Sequence, residues 1–273
     1  MRKLNNISLM IVLLTFCAIV IHNECRAQEA IPVYQWVEIA NANELLIEDA
    51  SILGLDISNK KMEYDHRGWY VISTDFYQIE MQKQTGYFNY FIKRPVMIPT
   101  PYNKETIDID SINSKARAIL LSFGIPQDEI ETISVKRLLA RTEDKLGNAI
   151  GQPEVVNYYA YCTRKIGDIS LRHSYAKAMF DTSGQLIKIQ LYWRPVQRQS
   201  PLVYRTKINE QILGVKVKEL LSNEMADYSI HKSFYAFYED HNPQKVGEIN
   251  LMYITLYSSP GGKLKELVIP ATE

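Results

Sequence analysis

One stretch of this chain limits its fold more than any other: a single amphipathic helix followed at once by four strand-like runs. Ser111 can cap a helix on which Ile112, Ala116, Ile119, Leu120 and Phe123 recur at three- and four-residue steps. Gly124 supplies a left-handed stop, and Pro126 prevents the helix from resuming. Lys115 and Arg117 fall off the apolar stripe, so one face is buried and needs a sheet to lie on. Residues 130–141, 155–164 and 171–180 are rich in β-branched and aromatic side chains. The turn Asp181-Thr182-Ser183-Gly184 leads into residues 186–193, where Ile187, Ile189, Leu191 and Trp193 alternate with Lys188, Gln190 and Tyr192. Such alternation predicts an antiparallel sheet with one covered and one wet face.

The flanking segments repeat this grammar. Residues 207–224 are helix-like, with Gly214 as an interruption, and residues 228–238, 248–257 and 264–269 are strand-like. The run Tyr158-Tyr159-Ala160-Tyr161 has an echo in Phe234-Tyr235-Ala236-Phe237, in the same order of elements. Towards the N-terminus, Asn41 and Glu44 have capping-box spacing for a helix ending at Leu53-Gly54. Residues 69–83 and 87–93 then read as a hairpin across Gln84-Thr85-Gly86. Residues 94–103, with Pro95, Pro99 and Pro101, read as a linker. The expected division is 1–27 signal peptide, 28–98 N-terminal α+β region, 104–197 one α+β module and 202–273 a second. The expected fold class is α+β: antiparallel sheets each packed by one helix, repeated in tandem.

Residues 1–27 read as an export signal. Arg2 and Lys3 give a cationic start, residues 7–21 an apolar run, and Cys25-Arg26-Ala27 a small-x-small cleavage site. A retained anchor is the alternative, although the run is shorter than the roughly 20 residues a spanning helix needs. Phe16 before Cys17 and Glu24 before Cys25 exclude a lipoprotein site. Cleavage near Ala27 leaves Cys162 alone, so no intramolecular disulfide is expected and burial must supply the stability. Cys162 itself reads as a small buried hydrophobe rather than a reactive thiol. The full chain holds 31 basic and 31 acidic residues; losing Arg2, Lys3, Arg26 and Glu24 leaves 28 and 30. No basic stripe points to nucleic acid, and no later segment is apolar enough to span a bilayer.

Residues 111–195, with the helix ending in FGIP, the tyrosine-rich hairpin and the final FDTSGQLIKIQLYWRP, resemble a PepSY-like (cystatin-like) module of exported bacterial envelope proteins. The resemblance covers about a third of the chain. It implies a helix packed on a sheet whose last strand follows an Asp-x-x-Gly turn. It also implies a protein partner at the envelope, peptidases included, and brings no catalytic residue and no cofactor.

Metal and hydrolase signatures are missing from the sequence: His66, His173, His231 and His241 have no His-Glu-x-x-His spacing, and there is no Gly-x-Ser-x-Gly elbow. Asp65, His66, Arg67 and Trp69 gather acid, imidazole, guanidinium and indole at one turn, where they can hold a polar ligand or simply form a solvated turn. Asp108 and Asp110 suit a helix N-terminus better than a cation, and Glu239-Asp240-His241 suits a charged hairpin tip. Tyr159, Tyr161 and Tyr235 are the remaining binding candidates, because neighbouring strand aromatics point to opposite faces and some must leave the helix-covered side. The first functional expectation is a non-catalytic exported protein that binds or restrains a protein partner through an exposed sheet face or edge, with an open apolar patch. A glycan- or small-ligand-binding protein, with a concave aromatic site, is the second. A hydrolase with dispersed catalytic residues is the third.

Overall fold

A computed structural model describes residues 29–93, 100–101, 107–199, 202–224, 227–238, 248–259 and 261–273. Residues 1–27, read above as an export signal, most of the proline linker and the Glu239-Asp240-His241 cluster lie outside the described residues.

Among the described residues, sixteen strands and three α-helices follow in chain order. β1 (Ala30–Pro32) and β2 (Tyr34–Trp36) precede α1 (Ala42–Ile52). Then come β3 (Glu63–Tyr64), β4 (Trp69–Ser73), β5 (Tyr77–Gln82), β6 (Phe88–Ile92) and β7 (Thr100–Pro101). α2 (Ile109–Ser122) is followed by a 3-10 turn at Gln127–Glu129 and by β8 (Ile130–Glu143), β9 (Ala149–Ile166), β10 (Ile169–Phe180) and β11 (Leu186–Tyr192). β12 (Val196–Arg198) and β13 (Tyr204–Thr206) lead to α3 (Glu210–Glu224), β14 (Ser229–Tyr238), β15 (Glu248–Ser258) and β16 (Leu264–Pro270).

Fourteen of these strands form one mixed sheet, in the order β12-β2-β15-β14-β10-β11-β6-β5-β4-β3, with β16 on β15 and β7 and β8 on β9, which itself pairs β10. β1 and β13 make a separate ribbon. This corrects the α+β expectation of small antiparallel sheets, each under its own helix. Strand accounts for 51% of the described residues and helix for 20%, and the sheet is continuous and mixed. The reason lies at the edges. β11 pairs β6 antiparallel and β10 pairs β14 in parallel, Leu171 opposite Phe237. Edges that separate sheets would leave open are therefore closed against one another. Alternation in sequence assigns a residue's face but says nothing of which strand lies beside it.

The three helices cover one face. A single register row, Ile72–Ile79–Tyr90–Ile189–Ala178–Ala160–Val135, runs across β4, β5, β6, β11, β10, β9 and β8 on that side. α1 places Leu46 and Ala50 over Ile72, Ile79 and Met81. α2 places Ile112 and Ala116 over Tyr158, Ala160, Ala178 and Phe180, and α3 places Leu213, Val217 and Leu221 over Leu171, Phe237 and Leu251. Each Leu, Ile, Val, Phe or Met side chain among them contributes about 1.5–3 kcal/mol through burial.

Local differences from the sequence reading have simple causes. α2 starts at Ile109 with Asp108 as N-cap, one turn before Ser111. The Asn41 side chain bonds the Glu44 carboxylate (3.0 Å) instead of the backbone. Residues 69–83 are two strands, because Thr74 Oγ1 accepts the N–H groups of Phe76 and Tyr77 and turns the chain. Gly214 sits inside an unbroken α3.

Gly184 is held at φ +78°, and a Cβ there would meet Ile107 Cδ1 at 2.9 Å. The Lys115 ammonium also donates to the Gly184 carbonyl (3.0 Å), tying the turn to α2. Gly184→Ala is expected to lower unfolding free energy by about 1–2 kcal/mol, read as a shifted urea midpoint with an unchanged slope. An unshifted midpoint would show the turn to be slack.

Candidate functional site

The face of the sheet opposite the helices carries rings and hydrogen-bonding groups. Because a strand alternates, Tyr158, Ala160 and Cys162 of β9 go under the helices, while Tyr159, Tyr161 and Thr163 emerge on the open side. Cys162 is buried and its thiol is pushed up to about 12 by desolvation, so it is inert as a nucleophile. On the open side Tyr161 meets Tyr175 (ring centroids 5.5 Å), Tyr175 meets Tyr192 (4.8 Å) and Tyr192 meets Tyr87 (5.0 Å). Lys177 Nζ sits 4.4 Å from the Tyr175 centroid and 5.9 Å from that of Tyr161. Beside this ladder Gln190 donates to Asn89 and Asn89 to Glu80, each at 3.4 Å. Burial raises the phenols of Tyr159, Tyr161 and Tyr192, so they remain neutral groups that both donate and accept.

Two features border this face. The first is a cleft of about 340 Å³ at the seam of β10 and β14, lined by Glu131, Tyr161, Asp168, Arg172, Lys232 and Phe234 among others. It opens because β10 slips register against β9 between Leu171 and Tyr175, with His173 at φ +66°. The second is the free edge of β8. Among the described residues β8 pairs as a strand only with β9, and one of its carbonyls, that of Ile133, accepts from the Asn113 side chain of α2 (3.2 Å). Residues 138–143 and 149–152 are all exposed, forming a two-stranded arm. Its tip is built by Asp144, which accepts the N–H groups of Leu146 and Asn148, both at 2.8 Å. Leu139 is 50% exposed, Leu146 87% and Ile150 53%.

The seven residues singled out in the sequence do not converge. Tyr159 and Tyr161 share the open face. Tyr235 points to the other side, where its hydroxyl donates to the Ile208 carbonyl (2.7 Å) and its ring packs edge-on against Tyr253. Burial pushes that phenol up to about 12. Asp65, His66 and Arg67 line an opening of about 460 Å³ at the β3–β4 turn, separated from β9 by β10, β11, β6 and β5. The Asp65 carboxylate is occupied by the turn itself: it accepts from the N–H groups of Arg67 and Trp69 and pairs with the Arg67 guanidinium (2.6 Å). Those bonds outweigh partial desolvation and hold it below the usual carboxylate range.

Residues the sequence did not single out support the open face from beneath. Arg164, with its side chain 1% exposed, pairs with Glu129 (2.7 Å) and donates to Ser174 Oγ (3.2 Å) and the Arg194 carbonyl (2.6 Å). Trp193 Nε1 donates to the same Glu129 oxygen (3.1 Å). An arginine on the same alternating face of the strand as Ala160 and Cys162 was the available signal. Among the described residues no cluster of three metal-ligating side chains occurs, and no helix is long and apolar enough to cross a membrane.

No protein-family profile matches the chain, and no curated protein sequence is similar to it. Among solved structures, an uncharacterised protein from Eubacterium rectale is similar over 88% of this chain and 82% of its own, with 10% identity and a TM-score of 0.54. The YpeB C-terminal domain of Bacillus megaterium is a looser structural neighbour, with 13% identity over 87% of this chain and 94% of its own and a TM-score of 0.38. At such identity the likeness to the Eubacterium rectale protein concerns the fold alone.

Proposed function

We propose that this is an exported, non-catalytic binding protein that docks an extended segment of a protein partner along the free edge of β8. The observation that carries this reading is the fourteen-residue edge strand leading into an exposed arm. Unpaired N–H and C=O groups along such an edge are a template for one more strand. Exposed Lys136 and Arg141 beside Leu139 suit a partner segment that carries acidic and apolar side chains. Export rests on the reading of residues 1–27, and the PepSY-like layout of residues 111–195 accords with partner binding at the envelope.

Site-specific photo-crosslinking tests it. A photoreactive residue placed at Leu139 or Ile150 is expected to give one dominant protein adduct in envelope extract, weakening as salt is raised. The same residue at Phe76, 78% exposed on the β4–β5 turn, is expected to give none. Equal adducts at all three positions, or none at the arm, would sink the reading.

A further inference from the structure

The cleft at the β10–β14 seam has a chemistry of its own, distinct from the β8 edge. β10 and β14 join through a parallel register of only two pairs, Leu171–Phe237 and Arg172–Tyr238. Just beyond it β10 bulges away from β9, and His173 adopts a left-handed backbone that costs a non-glycine residue about 1 kcal/mol or more. His173 is pinned there by an edge-to-face contact with Tyr238, centroids 4.8 Å apart. Ser174, the last residue of the bulge, accepts from Arg164 and donates to the Tyr192 carbonyl (3.0 Å). The strained backbone is therefore fixed from both sides, and the opening it leaves is built in.

The lining decides the ligand class. Glu131 and Asp168 are acceptors, Arg172 and Lys232 are donors, and Tyr161, Thr163 and Ser170 offer hydroxyls that do both. Phe234 supplies an apolar ring at the wall, with Lys232 5.2 Å and Arg172 5.9 Å from its centroid. Much of this set is held in place: Ser170 donates to Glu131, Thr163 and Thr132 share a hydroxyl bond of 2.8 Å, and Arg172 pairs with Glu266 (3.0 Å). Asp168, at the β9–β10 turn, has no hydrogen-bond or ion-pair partner among the described residues. Two acids against two bases give neither an anion nor a cation an advantage, and two carboxylates do not make a metal site. About 340 Å³ lies within the range of small-ligand sites, roughly 300–1,000 Å³.

We propose that this cleft is a binding site for a neutral saccharide. Sugar hydroxyls donate and accept around the whole rim of a ring whose faces are apolar, which matches donors and acceptors arranged about Phe234. Asp168 accepts from a sugar hydroxyl, Lys232 donates to a ring or hydroxyl oxygen, and Phe234 covers part of one sugar face.

Calorimetric titration of the full chain with malto-, cello- and N-acetylchito-oligosaccharides tests it, with free amino acids, dipeptides and inorganic phosphate as charged comparisons. One of the neutral oligosaccharides is expected to bind, and Asp168→Ala and Lys232→Ala, both at exposed positions, are each expected to weaken it about tenfold or more. Leu146→Ala on the arm is expected to leave it unchanged, which separates this site from the β8 edge. The proposal is overturned if no neutral oligosaccharide binds, if the charged compounds bind instead, or if the Asp168 and Lys232 variants bind as the parent does.

Discussion

Replacing Arg164 with leucine is expected to lower the unfolding free energy by about 3–5 kcal/mol, the largest loss of stability argued for any single substitution. The guanidinium is buried and joins four parts of the chain: β9 itself, Glu129 of the 3-10 turn, Ser174 of the β10 bulge and the Arg194 carbonyl. Its ring contact with Trp193, 5.0 Å to the centroid, adds a fifth attachment through the residue after β11. Leucine fills some of the volume but returns none of these bonds, so the Arg194 carbonyl and the Ser174 hydroxyl lose a donor where water does not replace it. Glu129, 22% exposed, can rehydrate in part, so Glu129→Gln is expected to cost less, about 1–2 kcal/mol. A double variant, Arg164→Leu with Glu129→Gln, is expected to be less destabilised than the two single effects added, because the orphaned carboxylate is gone as well. Urea denaturation of the four proteins reads this directly. An Arg164→Leu loss below about 1 kcal/mol would show that the network is incidental to the fold.

Asp49 is the second large effect, and it acts in the opposite direction. It lies on α1 with 8% of its surface exposed, and no hydrogen bond or ion pair holds it among the described residues. Desolvation, with a smaller contribution from Glu48, raises its carboxyl from 3.8 to about 7. A raised carboxyl means that the folded state holds the proton more tightly than the unfolded chain. Its contribution to stability is therefore complete below about pH 4, declines as pH rises, and is lost above about pH 7. Near pH 8 the folded protein buries an unpaired charge, so Asp49→Asn is expected to raise stability there by on the order of 2–4 kcal/mol. At pH 4 the same substitution is expected to change little. Other carboxylates shift the pH profile of both proteins alike, so the difference between parent and variant isolates Asp49. A variant no more stable than the parent at pH 8 would mean that the carboxylate has a compensating partner.

How much of this was legible in the residues depends on the distance over which the signal acts. The face of each strand was readable, because side chains alternate with a period of two and the helices announce themselves by three- and four-residue steps. Tyr159 and Tyr161 on the open face, and Ile189 and Leu191 in the helix-covered core, follow from that alone. Lateral order was not readable. Nothing local in Leu171 or Phe237 says that they pair in parallel, and that one junction converts separate sheets into a mixed sheet of fourteen strands. The bulge at His173 was also hidden, since a left-handed histidine within a strand is imposed by its neighbours rather than by its own preference. Tyr235 shows the limit of analogy: its place in an aromatic run like that of Tyr159 did not put it on the same side. The Asp65–Arg67 pairing follows from a spacing of two residues, so that cluster organises a turn before it can serve a ligand.

An open β8 edge leaves a distinct pattern of amide hydrogen exchange on the free protein. Between residues 132 and 143, amides bonded to β9 are expected to be protected while those pointing away exchange at near-solvent rates, giving an alternating profile broken only at the bulges near Leu138 and Ala140. Uniform protection along β8 would contradict it, because the edge would then already be covered.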